Sequence, residues 1–306
     1  MPWRRTRDPW RILVSEVMLQ QTQVERVVPY YARFLSAFPT APECAAARPA
    51  DVVRLWSGLG YNRRALHLHQ AAVMVTRDHD GRIPRDAAAL RALPGVGTYT
   101  ARAVRAFAFG EDVAASDTNG VRVLARCVAG NPLTVAEAMA LGDRLVPAGG
   151  AWEFNQAMFD LGATVCTASS PDCPRCPVRR QCRWRRAERA ARAGGMGAVS
   201  DPWRAGPTVR RQSRFEGSDR QGRGQLLHAL RACGVPEDAV AAACGWPDDG
   251  ARAARVAAAL VDDIHVRARR QELERVADRV EQHAAVVAPV QVERGLGRRL
   301  LSLIHI

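Results

Sequence analysis

Four of the eight cysteines crowd into 17 residues, as Cys166-x6-Cys173-x2-Cys176-x5-Cys182. A loop this rich in thiols is laid out by what the sulfurs bind rather than by helix or strand periodicity. Nothing near the start reads as a signal peptide, and no apolar run approaches the roughly 20 residues needed to cross a bilayer. The thiols are therefore expected in a reducing, cytoplasmic setting, where a dense cluster reads as metal ligation rather than disulfides. Zinc sites usually pair two C-x2-C units across a longer spacer. One C-x2-C flanked by single cysteines is better suited to wrapping a cubane cluster with four thiolates, with a structural zinc knot as the alternative. Arg175, Arg179, Arg180, Arg183, Arg185 and Arg186 interleave the cysteines and would set a basic patch beside the metal. Cys233 and Cys244 are expected to be buried small hydrophobes.

The rest of the chain predicts helices. Apolar residues recur at helical period over Ile12 to Val28, Ala65 to Val75, Thr100 to Phe109, Val121 to Val128 and Trp152 to Leu161. Proline and glycine punctuate them, and no stretch alternates convincingly with period two, so the fold class is all-α. The expected organisation is a helical barrel over 9–116 and a metal lobe made of 1–8 with 117–186. A basic linker over 187–217, a small helical unit over 218–266 and a tail over 267–306 follow. The tail includes an amphipathic stretch from Leu273 to Val287.

Charge narrows the partner. The net charge is +13, and all 44 positive side chains are arginine, with no lysine anywhere. A mechanism that needs a lysine amine, such as a Schiff base, is excluded. An arginine excess of this size favours a polyanion, most often nucleic acid, although GC-rich coding bias inflates arginine and alanine together.

Three further motifs carry chemistry. Leu93-Pro94-Gly95-Val96-Gly97 precedes the helix start Thr98-Tyr99-Thr100-Ala101, giving a helix-hairpin-helix. Its glycines would let backbone N–H groups reach a phosphate, fixing a duplex without reading its sequence; an ordinary helix-helix turn is the bland alternative. Glu16, in Ser15-Glu16-Val17-Met18-Leu19-Gln20-Gln21-Thr22-Gln23, sits among apolar helix neighbours with no arginine three or four residues away. Desolvation should raise its pKa and suit it to general acid work, unless another helix supplies a partner. Asp117, in Ser116-Asp117-Thr118-Asn119, is a natural N-cap. It gains a second meaning because cleavage of a nucleoside bond passes through an oxocarbenium-like sugar, which a fixed carboxylate stabilises.

Together with Leu55-Trp56-Ser57-Gly58-Leu59-Gly60-Tyr61 and Asn155-Gln156-Ala157-Met158, these motifs resemble the helix-hairpin-helix, Gly-Pro-Asp superfamily of DNA glycosylases. Within it they resemble the adenine DNA glycosylases of the MutY type, from Pro2-Trp3-Arg4 to about Arg186. Residues 209 to 262 resemble more loosely the C-terminal part of short actinobacterial members. The resemblance implies a two-lobed fold, with Glu16 protonating adenine and Asp117 stabilising the oxocarbenium ion. Asn119 and Tyr99 would arrange the site, while Trp3, Arg4 and Gln156 would line the base pocket. Gln20, Gln21, Thr22 and Tyr61 would engage the duplex where the base leaves it, and Gly95, Val96 and Gly97 would hold the backbone. It implies a [4Fe-4S] cluster on Cys166, Cys173, Cys176 and Cys182. It also implies a monomer acting on double-stranded DNA with adenine opposite 8-oxoguanine or guanine.

Relatives of the endonuclease III type carry a Schiff-base lysine where Tyr99 stands, so monofunctional base release is expected. Relatives usually have an extra N-terminal helix, and longer members also carry a strand-rich Nudix-like C-terminal domain. Neither pattern is visible here, and relaxed discrimination against partners of adenine other than 8-oxoguanine is the expectation. A thymine or uracil mismatch glycosylase of the same superfamily and a catalytically silent DNA-binding module are the alternatives.

Overall fold

The computed structural model describes residues 1–204, 214–232 and 235–260, and among these the chain is helical with no strand. The tail, the amphipathic stretch at 273–287 and Cys233 lie outside the described residues. None of the described helices is long and apolar enough to cross a membrane. The chain divides into two compact units, Met1–Val209 and Arg210–Ile306.

The first unit is built around α1 (Pro9–Leu19), which opens with Pro9 after the N-cap Asp8, whose carboxylate accepts from Arg11 N at 3.0 Å. Proline suits a first helical position because its missing N–H has no partner there anyway. Nearly all of α1 is buried, from Trp10 through Met18, as expected of a helix that is apolar all round. It is enclosed by α2 (Val24–Ala37), α5 (Arg63–Asp78) and α7 (Thr98–Phe109). Between these run the short helices α3 (Ala41–Ala46), α4 (Pro49–Trp56) and α6 (Ala87–Ala92). Trp3, in an N-terminal 3-10 turn, stacks edge-on against Tyr31 with centroids 5.3 Å apart, tying the start of the chain to this core.

The periodicity predicts one helix across Ile12 to Val28, whereas the chain breaks at Gln20–Gln23 and Gln21 takes a left-handed φ of 60°. The break falls on four polar residues, and Arg64 collects the carbonyls released at the end of α1.

The second half of the unit holds α8 (Thr118–Leu124), α9 (Val135–Asp143), α10 (Ala151–Asp160) and α11 (Arg183–Ala193). Both α8 and α10 run directly into π-turns, at Ala125–Ala129 and Leu161–Val165. Inserted turns of this kind are rare and gather at functional sites. They set Arg126 and Cys127 on one side and lead into Cys166 on the other. The basic stretch expected to start a linker at 187 is instead helical to Ala193. At Asp201–Arg204 the chain returns to the core, where Asp201 neutralises the buried Arg126.

The second unit, over its described residues, contains α12 (Asp219–Ala232), α13 (Val240–Ala243) and α14 (250–260). Leu226, Cys244, Ala253, Val256 and Leu260 form its core.

Candidate active site

The residues singled out for chemistry converge on one cavity of roughly 1190 Å³ in the first unit. Its wall includes Glu16 from α1, Tyr99 from the first turn of α7, and Asp117 and Asn119 from the start of α8. Trp3, Arg4, Gln20, Gln21, Thr22 and Gln156 also line it. Tyr61 and the hairpin residues Gly95, Val96 and Gly97 do not. Gln20 joins the two regions, its amide donating to Gly95 O at 3.3 Å.

Glu16 is 6% exposed. Burial pushes its carboxyl up to about 7, the nearby Asp117 charge adds to the rise, and a hydrogen bond from Tyr99 partly opposes it. The cost of placing charge among Ile12, Leu13 and Met18 dominates. Tyr99 faces both carboxylates, and burial with their negative charge raises its phenol well above the usual value. A carboxyl poised near neutrality, a phenol and a second carboxyl thus line one cavity.

Asp117 caps α8, its Oδ1 accepting from Gly120 N at 2.8 Å, while Oδ2 accepts from Asn119 Nδ2 at 2.9 Å. The N-cap reading of this residue therefore holds, and the cap is also what aims the carboxylate into the cavity. Asn119 is fixed in turn by Arg122, whose Nη2 donates to Asn119 Oδ1 at 2.7 Å. The same guanidinium donates to Gly162 O at 2.8 Å and to Cys166 O at 2.7 Å. The extended approach to Asp117 is stapled by Asn155, which accepts from Ala115 N at 2.7 Å and donates to Val113 O at 2.9 Å. Arg4 holds Asp160 with two parallel bonds of 2.9 and 2.6 Å, docking the N-terminal turn on α10.

Arg64 is the main residue that sequence reasoning missed. Buried in the first turn of α5, it donates to Val17 O at 3.0 Å, to Met18 O at 2.7 Å and to Gln20 O. Its other terminal nitrogen reaches Thr22 Oγ1 at 2.9 Å and Gly60 O at 3.0 Å, and its plane lies 5.4 Å from the Tyr61 ring. One side chain thus positions Gln20 to Thr22 and Tyr61 together. No local signal separates it from its exposed neighbour Arg63.

The hairpin connects α6 and α7. Gly95 has φ +79°, and a Cβ there would lie 2.9 Å from His67 Cβ. Gly97, the N-cap of α7, carries no side-chain cap, and a Cβ on it would meet nothing within 4 Å. The N–H groups at this helix start are therefore accessible to an anion.

A family model for HhH-GPD superfamily base excision DNA repair proteins matches residues 14–289. The chain belongs to this superfamily. An adenine DNA glycosylase of Mycolicibacterium smegmatis is 42% identical to this HhH-GPD protein over 267 residues, 86% of each chain. A solved thermostable thymine-DNA glycosylase aligns with a TM-score of 0.58 at 32% identity, over 61% of this chain and 88% of that one. A trapped endonuclease III–DNA covalent intermediate aligns at 0.53 with 26% identity, over 60% and 86%.

In this HhH-GPD protein the four clustered cysteines line one small pocket together with Arg126 and Cys127. Cys166 and Cys182 are buried and Cys173 and Cys176 half-buried. Among the described residues no three His, Cys, Asp or Glu side chains are grouped as for a single bound ion. Arg126 donates to Cys166 Sγ at 3.5 Å and to Thr167 O at 2.7 Å, so one guanidinium ties a cysteine sulfur to the chain that follows it. Around the loop Arg175, Arg179, Arg180, Arg183 and Arg186 are exposed, whereas Arg185 is turned inward onto Glu188.

Proposed function

We propose that this protein removes adenine mispaired with 8-oxoguanine or guanine from double-stranded DNA, by hydrolysis of the N-glycosidic bond and without strand cleavage. The observation that carries the reading is Glu16, a buried carboxyl with a pKa near 7 that lines, together with Asp117, one cavity large enough for a purine. The names of the similar proteins, adenine DNA glycosylases in the M. smegmatis relative among others, supply the base.

In this reading Glu16 gives its proton to the departing adenine, the step for which an acid near neutrality is best suited, and its carboxylate then takes a proton from the water that adds to the sugar carbon. Asp117, held by Gly120 N and Asn119, stands beneath the sugar and stabilises the developing oxocarbenium charge. Tyr99 keeps the two acidic groups in place and excludes water between them. Gln156, Trp3 and Arg4 form the side of the cavity against which an extruded base would rest. Extrusion costs a few kcal/mol. The Gln20–Thr22 turn and Tyr61, both braced by Arg64, would fill the gap left in the stack, while the hairpin and the α7 N-terminus hold phosphate. With no lysine in the chain, no lysine Schiff base forms and the product is an intact strand with an abasic site.

The cysteine pocket fits an iron–sulfur cluster. Four thiols that line one pocket, one C-x2-C flanked by single cysteines rather than two paired C-x2-C units, suit a cubane with four external thiolates better than a single zinc ion. Cys166, Cys173, Cys176 and Cys182 would hold it. Bound there, it would brace the loop from Cys166 to Cys182 and its exposed arginines against the phosphate backbone. As a monomer on DNA, the protein is expected to bind more weakly as salt rises.

A second reading, a thymine or uracil mismatch glycosylase, is favoured by the likeness to the thymine-DNA glycosylase structure. Base release from A:8-oxoguanine, A:G, T:G and U:G duplexes separates the two. Adenine release that disappears in Glu16→Gln supports the first, and pyrimidine release alone supports the second. Duplex binding without release of any base would leave only a DNA-binding module.

A further inference from the structure

The stretch after the metal-loop helix, whose composition suggests a linker, returns to the catalytic half of the molecule with specific contacts. Asp201 takes two parallel hydrogen bonds from Arg126, 2.9 Å from Nε and 2.6 Å from Nη2. Arg126 is 1% exposed, so Asp201 is its charge partner in a low-dielectric setting. Asp201 Oδ1 also accepts from Trp203 N at 3.0 Å, which fixes the turn that follows. Arg204 donates to Ser169 O at 3.0 Å, while Arg126 itself donates to Thr167 O and Ala168 O. Within four residues the strap therefore grips the chain leaving Cys166.

Trp203 completes the arrangement. Its ring lies 5.4 Å from the Arg122 guanidinium, inside the range of a cation–π contact. It packs on Val121, Leu124 and Ala138, and both Pro202 and Trp203 line the catalytic cavity. Arg122 is the residue that holds Asn119, and Asn119 holds Asp117. The aromatic face thus supports the far side of the guanidinium whose near side orients the catalytic carboxylate.

We propose that Asp201–Arg204 is a positioning strap of the active site, in which Trp203 backs Arg122 and so sets the Asn119–Asp117 pair, with Asp201 anchoring the strap on Arg126. Trp203 touches no reacting atom and acts through Arg122. The inference rests on the base-release function proposed above, and its test separates the two.

The experiment compares full-length wild type with Trp203→Ala, Trp203→Phe, Asn119→Ala and the double variant Trp203→Ala/Asn119→Ala. Single-turnover adenine release and duplex affinity are measured on an A:8-oxoguanine duplex. Trp203→Ala is expected to lower the chemical rate by about tenfold, the scale of a small misplacement of a catalytic group, while leaving duplex affinity within about twofold. Trp203→Phe should restore most of the rate, and Trp203→Ala should add little in the Asn119→Ala background. An undiminished rate in Trp203→Ala, losses that multiply in the double variant, or no rescue by phenylalanine would overturn the strap.

A crystal structure of Trp203→Ala provides a readout independent of turnover. Arg122 is expected to leave Asn119 Oδ1, and retention of that bond overturns the proposal even if the wild type releases no base. Wild-type silence on every duplex would overturn the functional reading instead.

Discussion

Asn119 donates one amide hydrogen to Asp117 at 2.9 Å and receives the Arg122 guanidinium on its own oxygen at 2.7 Å. Its two ends are therefore committed, and the amide cannot flip without breaking both bonds. Asn119→Ala is expected to leave Asp117 held only by its cap to Gly120 N. Single-turnover adenine release should fall by about 100-fold, a loss typical of a misplaced group, with duplex affinity little changed. An unaltered rate would show that the cap alone orients the carboxylate.

The pKa of Glu16 near 7 gives the reaction a pH dependence with a definite sign. Only the protonated form donates, so the rate should fall about tenfold per pH unit above 7. Stability follows the same group. Between its ordinary value of 4.5 and about 7 the folded protein keeps a proton that the unfolded chain has lost, so stability falls as pH rises through that window. Glu16→Gln removes the penalty. At pH 8 it should unfold with on the order of 3 kcal/mol more free energy than wild type while releasing no adenine. Chemical denaturation of the two proteins at pH 5 and pH 8 checks this, and equal stabilities at both would contradict it.

Arg64 gathers carbonyls from the end of α1 and the hydroxyl of Thr22. Burial lowers its pKa only to about 10, so the group remains charged at neutral pH. Arg64→Ala is expected to cost about 3 kcal/mol of stability, the scale for hydrogen bonds to a charged group left unmade. Because the same bonds hold Gln21 in its left-handed turn, base extrusion should weaken too. A fluorescent adenine analogue in the duplex should brighten less on binding the variant than on binding wild type.

Gly162 lies against the start of α8, where a Cβ would come within 2.6 Å of Asn119 Cβ. Backbone lies close behind, at 3.2 Å, so little can give way. Gly162→Ala should therefore displace Asn119 and impair release much as Asn119→Ala does, without removing a polar group. A rate equal to wild type would mean that the two segments can separate at no cost.

Metal analysis settles the cysteine pocket. Purified protein should carry iron and acid-labile sulfide in equal amounts, and Cys176→Ser should lose both. Stoichiometric zinc in a colourless protein would overturn the cluster assignment.

The parts legible from sequence were those encoded over short distances. Glu16 stands out because Ile12, Leu13 and Leu19 surround it at helical spacing with no arginine there to pair it, and the hairpin because glycine and proline fall where the chain must turn. Arg64 was invisible because all but one of its acceptors lie more than 40 residues away and nothing nearby distinguishes it from Arg63. The break at Gln20–Gln23 falls in a run of four polar residues that the exposed face of one long helix could also carry, and the guanidinium that collects the released carbonyls sits on a distant helix. The strap was hidden by composition. Arginine, glycine and alanine around it suggest a tether, and only the buried Arg126 on α8's π-turn reveals Asp201 as a partner.

That π-turn and its counterpart before Cys166 each insert one residue more than an α-helix would use. In a helix one residue corresponds to a rotation of about 100°, so each insertion works as a fixed dial. It sets the phase of the side chains between the cavity that Asp117 lines and the loop that carries the cysteines. Shortening either turn by one residue would leave the side chains beyond it intact yet facing the wrong neighbours. The link between the two ends of this molecule is thus a matter of phase as well as of chemistry.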